Sequence, residues 1–213
     1  MNPEQRVEIL VATSNPGKLL EIQEALRGLP VNLASLQDFS DISSVDEVGE
    51  TYEENAVLKA LSYATQSGVW ALADDSGLEV DALDGKPGVR SARYGGSSDR
   101  ERIAKLLVEL AQRPEQARTA RFVCCMVLAG WPIGVQRDNR VPQVLHVSQA
   151  NCEGGIISEL RGNNGFGYDP VFVPVGHDQT LAELPLEVKN LISHRAKALI
   201  AMREFLNRWI APT

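Results

Sequence analysis

Residues 71–96 bring the end of an apolar run, two acids and a glycine-rich segment together in one stretch. The apolar run begins at Val69 and predicts a buried strand, and the adjacent carboxylates of Asp74 and Asp75 follow it directly. We expect the strand to end there and turn through the next Ser-Gly pair, because acids at a strand end commonly hold a metal ion or a water. The remaining residues are rich in Gly, Pro and Arg, which favours a loop shaped for a ligand. The alternative is a hairpin with solvated acids.

The composition limits the class of protein and its partners. A chain of 213 residues, of which 44% are hydrophobic, can bury the core of one domain with one or two lobes. The net charge of −7 argues against bulk nucleic acid or an anionic membrane as a partner. No apolar run approaches the ~20 residues of a membrane span, and the N-terminus lacks a signal-peptide profile. Cys124, Cys125 and Cys152 suit neither a disulfide framework nor a zinc site, so we expect free thiols in a cytoplasmic protein.

The N-terminal segment predicts a strand over 7–12, a polar turn at 13–18 and a helix over 19–29. This arrangement would point backbone amides and the positive end of a helix dipole at an anion, to which Lys18 could add a charge. The Walker phosphate-binding pattern fails at its first and last positions. A phosphate-binding turn of another kind and an ordinary turn with a solvated lysine both remain open.

An acidic, irregular segment at 38–50 precedes a strongly predicted helix over 51–67, whose first residue can form a capping box with Glu54. This helix leads into the strand that carries the paired acids. Helical geometry places Asn55 and Lys59 on one face. The alternative interpretation is a salt-bridged surface helix.

The second half of the chain alternates further strands and helices. We predict helices over 98–112, 181–184 and 186–192, a closing helix capped by Ser193, and strands over 121–128 and 144–152. His146 is interpreted as a strand residue rather than a ligand, and turn signals occupy 130–141. Without repeats or long linkers, the pattern predicts a single α/β domain with a mixed central sheet and two lobes.

Glycines flank two aromatic residues and an acid at 162–172, which makes a poor core segment and a good clamp for a flat ligand. Aromatic rings stack on nucleobases with about 1–3 kcal/mol per base. A core hairpin is the alternative, since Phe and Tyr suit strands. His194 and Arg195 fall in the first turn of the closing helix, where the dipole disfavours cations unless an acceptor binds there.

Five segments of the chain resemble motifs of the inosine triphosphate pyrophosphatase family. They are T-x-N-x-x-K at 13–18, ENAVLKA at 54–60, ADDSGLEVDALDGKPGVRSARYGG, GFGYDPVF and SHRAKAL. That family cleaves dITP, ITP and XTP to the monophosphate and pyrophosphate. The resemblance implies an elongated two-lobed fold with the active cleft between the lobes, a small-molecule nucleoside triphosphate as substrate, Mg²⁺ dependence and homodimers. Residues 131–145 contain none of the family's motifs.

The resemblance also implies roles for individual residues. Asp75 matches the catalytic acid, which also lies at the metal together with Glu47, and Asp74 is a further candidate ligand. The residues that would contact substrate are Thr13, Ser14, Asn15, Pro16, Gly17, Lys18, Lys59, Ser76, Phe166, Gly167, Tyr168, Asp169, Lys189, His194 and Arg195.

These residue types suit hydrolysis of a triphosphate between its first and second phosphates. We expect Asp75 to accept a proton from the attacking water and Lys18 to stabilise the departing phosphates. Phe166 or Tyr168 would stack on the base, while side-chain donors would meet keto oxygens that adenine lacks at position 6. A pyrophosphatase for a modified pyrimidine nucleotide and a non-enzymatic nucleotide-binding module are the alternatives.

Overall fold

A six-stranded mixed sheet organises the chain, with strand order β2-β1-β3-β4-β5-β6. The computed structural model describes residues 6–113, 117–133 and 141–210. The strands are β1 (Val7–Val11), β2 (Val31–Ser35), β3 (Trp70–Val80), β4 (Thr119–Gly130), β5 (Gln143–Ile156) and β6 (Phe172–Pro174). The α-helices are α1 (Pro16–Leu26), α2 (Tyr52–Ser67), α3 (Asp99–Ala111), α4 (Leu186–Ile192) and α5 (His194–Ile210). β1 runs parallel to β2 and β3 while β5 runs antiparallel to β6, which confirms the predicted α/β class with a mixed sheet.

The chain divides into two compact units, in keeping with the two predicted lobes. Unit 1 comprises Met1–Asp75, Cys125–Gln149 and Ala198–Thr213, and unit 2 comprises Ser76–Cys124 and Ala150–Lys197. Each unit has buried apolar residues of its own. Those of unit 1 include Ile9, Leu10, Ile22, Leu26, Ala60, Leu72, Met126, Met202 and Leu206. Those of unit 2 include Leu78, Leu83, Ile103, Leu106, Phe122, Tyr168, Phe172 and Leu181.

The prediction that the chain turns directly after the paired acids is wrong. β3 continues through Asp74 and Asp75 to Val80, so both carboxylates lie inside a strand of 11 residues. The reason lies in the residues that follow: Leu78 and Val80 are fully buried on either side of the partly exposed Glu79, which is the alternation of a strand with one face in a core. The acids are therefore held by extended backbone on both sides.

Most of the remaining elements agree with the sequence apart from their ends, but one predicted helix does not form. α1 begins at Pro16, earlier than predicted, because Asn15 caps it and proline fits the first helical turn. The segment at 181–184 forms turns rather than a helix. The predicted turn region at 130–141 lies largely outside the described residues, since 134–140 are not among them. The three cysteines are free and buried, as predicted.

No helix within the described part of the chain is both long and apolar enough to span a bilayer.

Candidate active site

Lys59 is the centre of an acidic cluster in unit 1. Its Nζ lies 2.7 Å from Glu47 Oε1, 2.6 Å from the Asp74 carbonyl oxygen and 3.8 Å from Asp75 Oδ1. α2 presents this ammonium because its capping box at Thr51 fixes where the helix begins, and therefore which face meets β3. The resemblance allows Lys59 to face either the phosphates or the acids, and in the structure its ammonium lies against the acids.

Lys18 supplies a second cation to the same group of acids. Its Nζ lies 2.9 Å from Asp74 Oδ2, and Asp74 is only 2% exposed. The side chain of Asn15 accepts hydrogen bonds from the backbone amides of Gly17 and Lys18, at 2.9 and 3.2 Å. Two amides of this helix end are therefore already bonded by the cap, so the charge of Lys18 remains the stronger basis for the predicted anion site.

The electrostatics of the cluster follow from its burial. Burial raises the pKa of the Asp75 carboxyl above its usual value, because the opposing effect of the Lys59 ammonium is smaller and the Glu47 carboxylate adds to the rise. For Lys59, burial lowers the pKa, but the Asp74, Asp75 and Glu47 carboxylates together outweigh it, and the net pKa is raised. Lys59 thus stays charged while Asp75 is pushed toward a proton-accepting range.

A divalent cation fits this donor set. Within residues 6–113, 117–133 and 141–210, no three His, Cys, Asp or Glu side chains converge as a metal cage. Mg²⁺ does not need one, since it usually binds through one or two carboxylates, waters and the phosphates of a substrate. Glu47 and Asp75 are two hard oxygen donors that already converge on one cation, the Lys59 ammonium.

The second group of predicted residues lies in unit 2 and centres on Asp169. Its Oδ2 accepts hydrogen bonds from Lys189 Nζ at 2.7 Å and from the Phe166 backbone amide at 3.0 Å. Lys189 Nζ lies 4.9 Å and Arg195 Cζ 5.5 Å from the centre of the Phe166 ring. Arg195, 1% exposed, also donates to Ser76 Oγ at 2.9 Å. The structure therefore brings the predicted ring and donors together.

Phe166 and Tyr168 were the two candidates for stacking on a base, and the position of Tyr168 in the structure does not suit that role. Its ring is buried in the core of unit 2, and its hydroxyl donates to the Ser91 carbonyl at 3.1 Å. Phe166 is only partly buried, so it is the remaining aromatic candidate for a base. His194 is also buried, and its ring stacks on Phe122 with centroids 4.7 Å apart.

Sequence reasoning missed three residues that hold these groups in place. Asn55 donates to Asp75 Oδ2 at 3.0 Å. Asp99 accepts a hydrogen bond from the Gly167 amide at 2.6 Å, and the ring of Phe122 stacks on that of His194. Only Asn55 left a signal, since its helical spacing from Lys59 placed both on one face. The other two contacts join residues far apart in the chain, so no local pattern reports them.

Comparison with known proteins gives one consistent result. The chain is 48% identical to the dITP/XTP pyrophosphatase of Geobacter sulfurreducens over 93% of its own length and 96% of the relative's. It is 43% identical to the dITP/XTP pyrophosphatase of Bacillus cereus, over 97% and 98% of the two chains. The solved structure of a HAM1 protein from Coxiella burnetii matches 95% of this chain and 99% of that one, at 40% identity and a TM-score of 0.81.

These relatives confirm the resemblance that the five motifs predicted. The model of the Ham1 family matches residues 9–205, a range that contains both groups of site residues, and the chain therefore belongs to the Ham1 family.

Proposed function

We propose that this protein hydrolyses the non-canonical purine nucleotides ITP, dITP and XTP to the nucleoside monophosphate and pyrophosphate, and so cleanses the nucleotide pool. The observation that carries the proposal is the convergence of Glu47, Asp75 and the Asp74 carbonyl on the buried Lys59 ammonium. A mixed set of acids and cations at one point suits a polyanionic substrate that arrives with a divalent cation. The names of the curated relatives supply the choice of base.

Three side chains in and beside the acidic cluster have parts in this reaction. Glu47 and Asp75 would hold Mg²⁺, which supplies charge neutralisation at the phosphate oxygens. Asp75 would also accept the proton of the water that attacks the α-phosphorus, a role that its raised pKa favours. Lys18, on the first turn of α1, would stabilise the negative charge that develops on the departing pyrophosphate.

The group around Asp169 would select the base. Phe166 offers a partly exposed ring, and Lys189 and Arg195 lie beside that ring with donors that keto oxygens can accept. Adenine carries an amino group at position 6, so a site built to donate there would be left with unpaired buried donors. His194, held by Phe122, adds a further donor.

Further properties belong to the same proposal. The chain would act as one inosine triphosphate pyrophosphatase-like domain over residues 1–213, in the cytoplasm and as a homodimer, with neither nucleic acid nor membrane as partner. The net charge of −7 supports the exclusion of polyanionic surfaces. The active cleft between the lobes, which the resemblance implies, remains part of this proposal.

A substrate screen tests the proposed function. Purified protein is incubated with Mg²⁺ and each of ITP, dITP, XTP, ATP, GTP, CTP, UTP and a set of modified pyrimidine triphosphates. Pyrophosphate release is measured, and the measurement is repeated after addition of EDTA. We expect release from the first three nucleotides, little from ATP, and loss of activity with EDTA. Hydrolysis of modified pyrimidine triphosphates alone would contradict the choice of base. Nucleotide binding without any pyrophosphate release would favour a binding module instead.

A further inference from the structure

Asn55 occupies an unusual place for an amide side chain. It lies in the first turns of α2 and is fully buried, 0% exposed. Its Nδ2 donates to Asp75 Oδ2 at 3.0 Å, while its Oδ1 accepts from the Gly49 backbone amide at 2.8 Å. A buried amide with both ends bonded is held in one orientation, because rotating it would leave a donor facing a donor.

The residue type at this position is determined by its two partners. Asp75 presents a carboxylate and needs a donor, whereas the Gly49 amide needs an acceptor. Asn offers both in a short side chain without adding charge to a cluster that already contains several acids. An apolar residue would remove both of these hydrogen bonds from the interior, and an ionised acid would face Asp75 with like charge.

The Gly49 contact joins Asn55 to the segment that carries Glu47. A Cβ built on Gly49 would lie 2.8 Å from Asn55 Oδ1 and 2.7 Å from Glu54 Cβ, closer than real Cβ atoms come to their neighbours. The backbone of this segment therefore rests directly on the start of α2. The Glu54 carboxylate also holds this segment, because it accepts hydrogen bonds from the backbone amides of Glu50 and Thr51 at 2.7 and 3.2 Å.

We propose that Asn55 is a positioning residue that holds the carboxylate of Asp75 and the segment bearing Glu47 in the register needed to bind a divalent cation together. In this role Asn55 would act through Asp75 and the segment bearing Glu47, without contacting substrate or metal itself. Its amide fixes one Asp75 oxygen, and its carbonyl oxygen fixes the backbone two residues beyond Glu47. The inference rests on the proposed pyrophosphatase activity, and it adds a residue to which none of the five motifs assigned a role.

Two variants test the two sides of this contact. Asn55→Ala removes both hydrogen bonds, and Gly49→Ala pushes the segment away from an intact Asn55. The φ of Gly49 lies outside the left-handed region, so alanine there tests space rather than backbone strain. Residues that orient metal ligands typically contribute about 10–100-fold to metal affinity or activity. We expect both variants to lower kcat for ITP by about that factor, with KM changed less than about threefold.

Binding of Mn²⁺ to the nucleotide-free protein, measured by electron paramagnetic resonance, gives a readout that does not depend on turnover. We expect an affinity about tenfold or more weaker in both variants than in the wild type. The matched control is Glu53→Ala on the exposed side of the same helix turn, which should keep wild-type kcat and Mn²⁺ affinity. Melting temperatures measured in EDTA report how far each variant remains folded.

The outcomes are separable. A wild type that releases no pyrophosphate overturns the proposed function, whereas an active wild type with unchanged kcat and Mn²⁺ affinity in Asn55→Ala overturns the positioning role. A variant whose kcat and Mn²⁺ capacity fall only in proportion to its unfolded fraction also overturns that role, because it makes Asn55 merely structural. If Asn55→Ala does not fold, Gly49→Ala decides by the same criteria.

Discussion

At the scale of residues, several charged groups are buried close together around Lys59, and a bound cation would change the free energy of that arrangement. The carboxylates of Glu47 and Asp75 and the carbonyl oxygen of Asp74 lie within 4 Å of the buried Lys59 ammonium. The side chain of Asp74, which precedes Asp75 in β3, pairs with Lys18. Buried acids of like charge raise one another's pKa and weaken the folded state unless cations intervene. Burial is the main reason why the pKa of the Asp75 carboxyl is raised, so the ionised form of Asp75 costs stability, which a bound divalent cation would offset.

Substitution of Asp75 by Asn separates activity from stability. We expect turnover of ITP to fall by orders of magnitude, because the amide cannot accept the proton of the attacking water. In EDTA at neutral pH, the melting temperature should equal or exceed that of the wild type. The sign follows from the raised pKa: the folded state holds its proton more tightly than the unfolded chain, so ionisation of Asp75 as pH rises costs stability that Asn does not lose. Near-normal turnover in the folded variant would refute this assignment of the base.

Substitution of Lys59 by Met should have the opposite effect on stability. Met fills a similar volume but leaves Glu47 and Asp75 facing each other without their shared ammonium. Removing one partner of a buried ion pair typically costs about 3–5 kcal/mol. Because Glu47 is partly exposed, we expect a loss near the lower end of that range. Urea denaturation in EDTA measures it, and an unchanged midpoint would show that the acids are not repelling one another.

At the scale of elements, the starts of α2 and α5 were the features best predicted from the sequence. The capping box that begins α2 and the Ser193 cap before α5 were read from the sequence and are present. The continuation of β3 was missed because Asp74 and Asp75 look like a strand terminus, although the alternation of Leu78, Glu79 and Val80 is typical of a strand. The cations that lie beside the buried acids, Lys18 and Lys59, come from other elements, and no local pattern identifies them.

In the candidate site, too, some features were predictable from the sequence and others were not. Motif resemblance located the residues of the acidic cluster, and the structure brings Glu47, Lys59 and Asp75 together. The motif could not distinguish Phe166 from Tyr168, since both are aromatic residues beside Gly167. Tyr168 is a core residue because its hydroxyl reaches the Ser91 carbonyl, 77 residues away in sequence. Such contacts depend on tertiary packing that neither composition nor spacing reveals.

One contact between β5 and α5 predicts a pH dependence of stability. The ring of His146 stacks on Phe205 with centroids 4.3 Å apart, and its buried Nε2 has no hydrogen-bond partner among the described residues. Burial, helped by the charge of Arg208, lowers the His146 pKa below its usual value of 6.5. The unfolded chain therefore takes up a proton that the folded state resists, and stability falls as pH drops below 6.5.

We expect His146→Phe, which keeps the stack and removes the titration, to lose less unfolding free energy than the wild type between neutral pH and about pH 5.5. Urea midpoints at both pH values, measured in EDTA, make the comparison. Parallel losses in the two proteins would mean that His146 does not titrate differently in the folded and unfolded states.

At the scale of the whole molecule, an acidic chain has to attract a polyanionic substrate. The net charge of −7 repels triphosphates at long range, so local cations must supply the attraction. The structure places them in each unit: Lys18 and Lys59 in unit 1, and Lys189 and Arg195 in unit 2. In sequence, the boundary between the two units falls between Asp75 and Ser76 of β3.

The position at which water attacks the triphosphate is the central chemical claim, and hydrolysis of ITP in ¹⁸O-labelled water measures it directly. With Mg²⁺ and wild-type protein, mass spectrometry of the products should find the label in inosine monophosphate and none in pyrophosphate. This result follows if water attacks the α-phosphorus, as the proposed role of Asp75 requires. Label in the pyrophosphate, or release of orthophosphate in its place, would contradict the account.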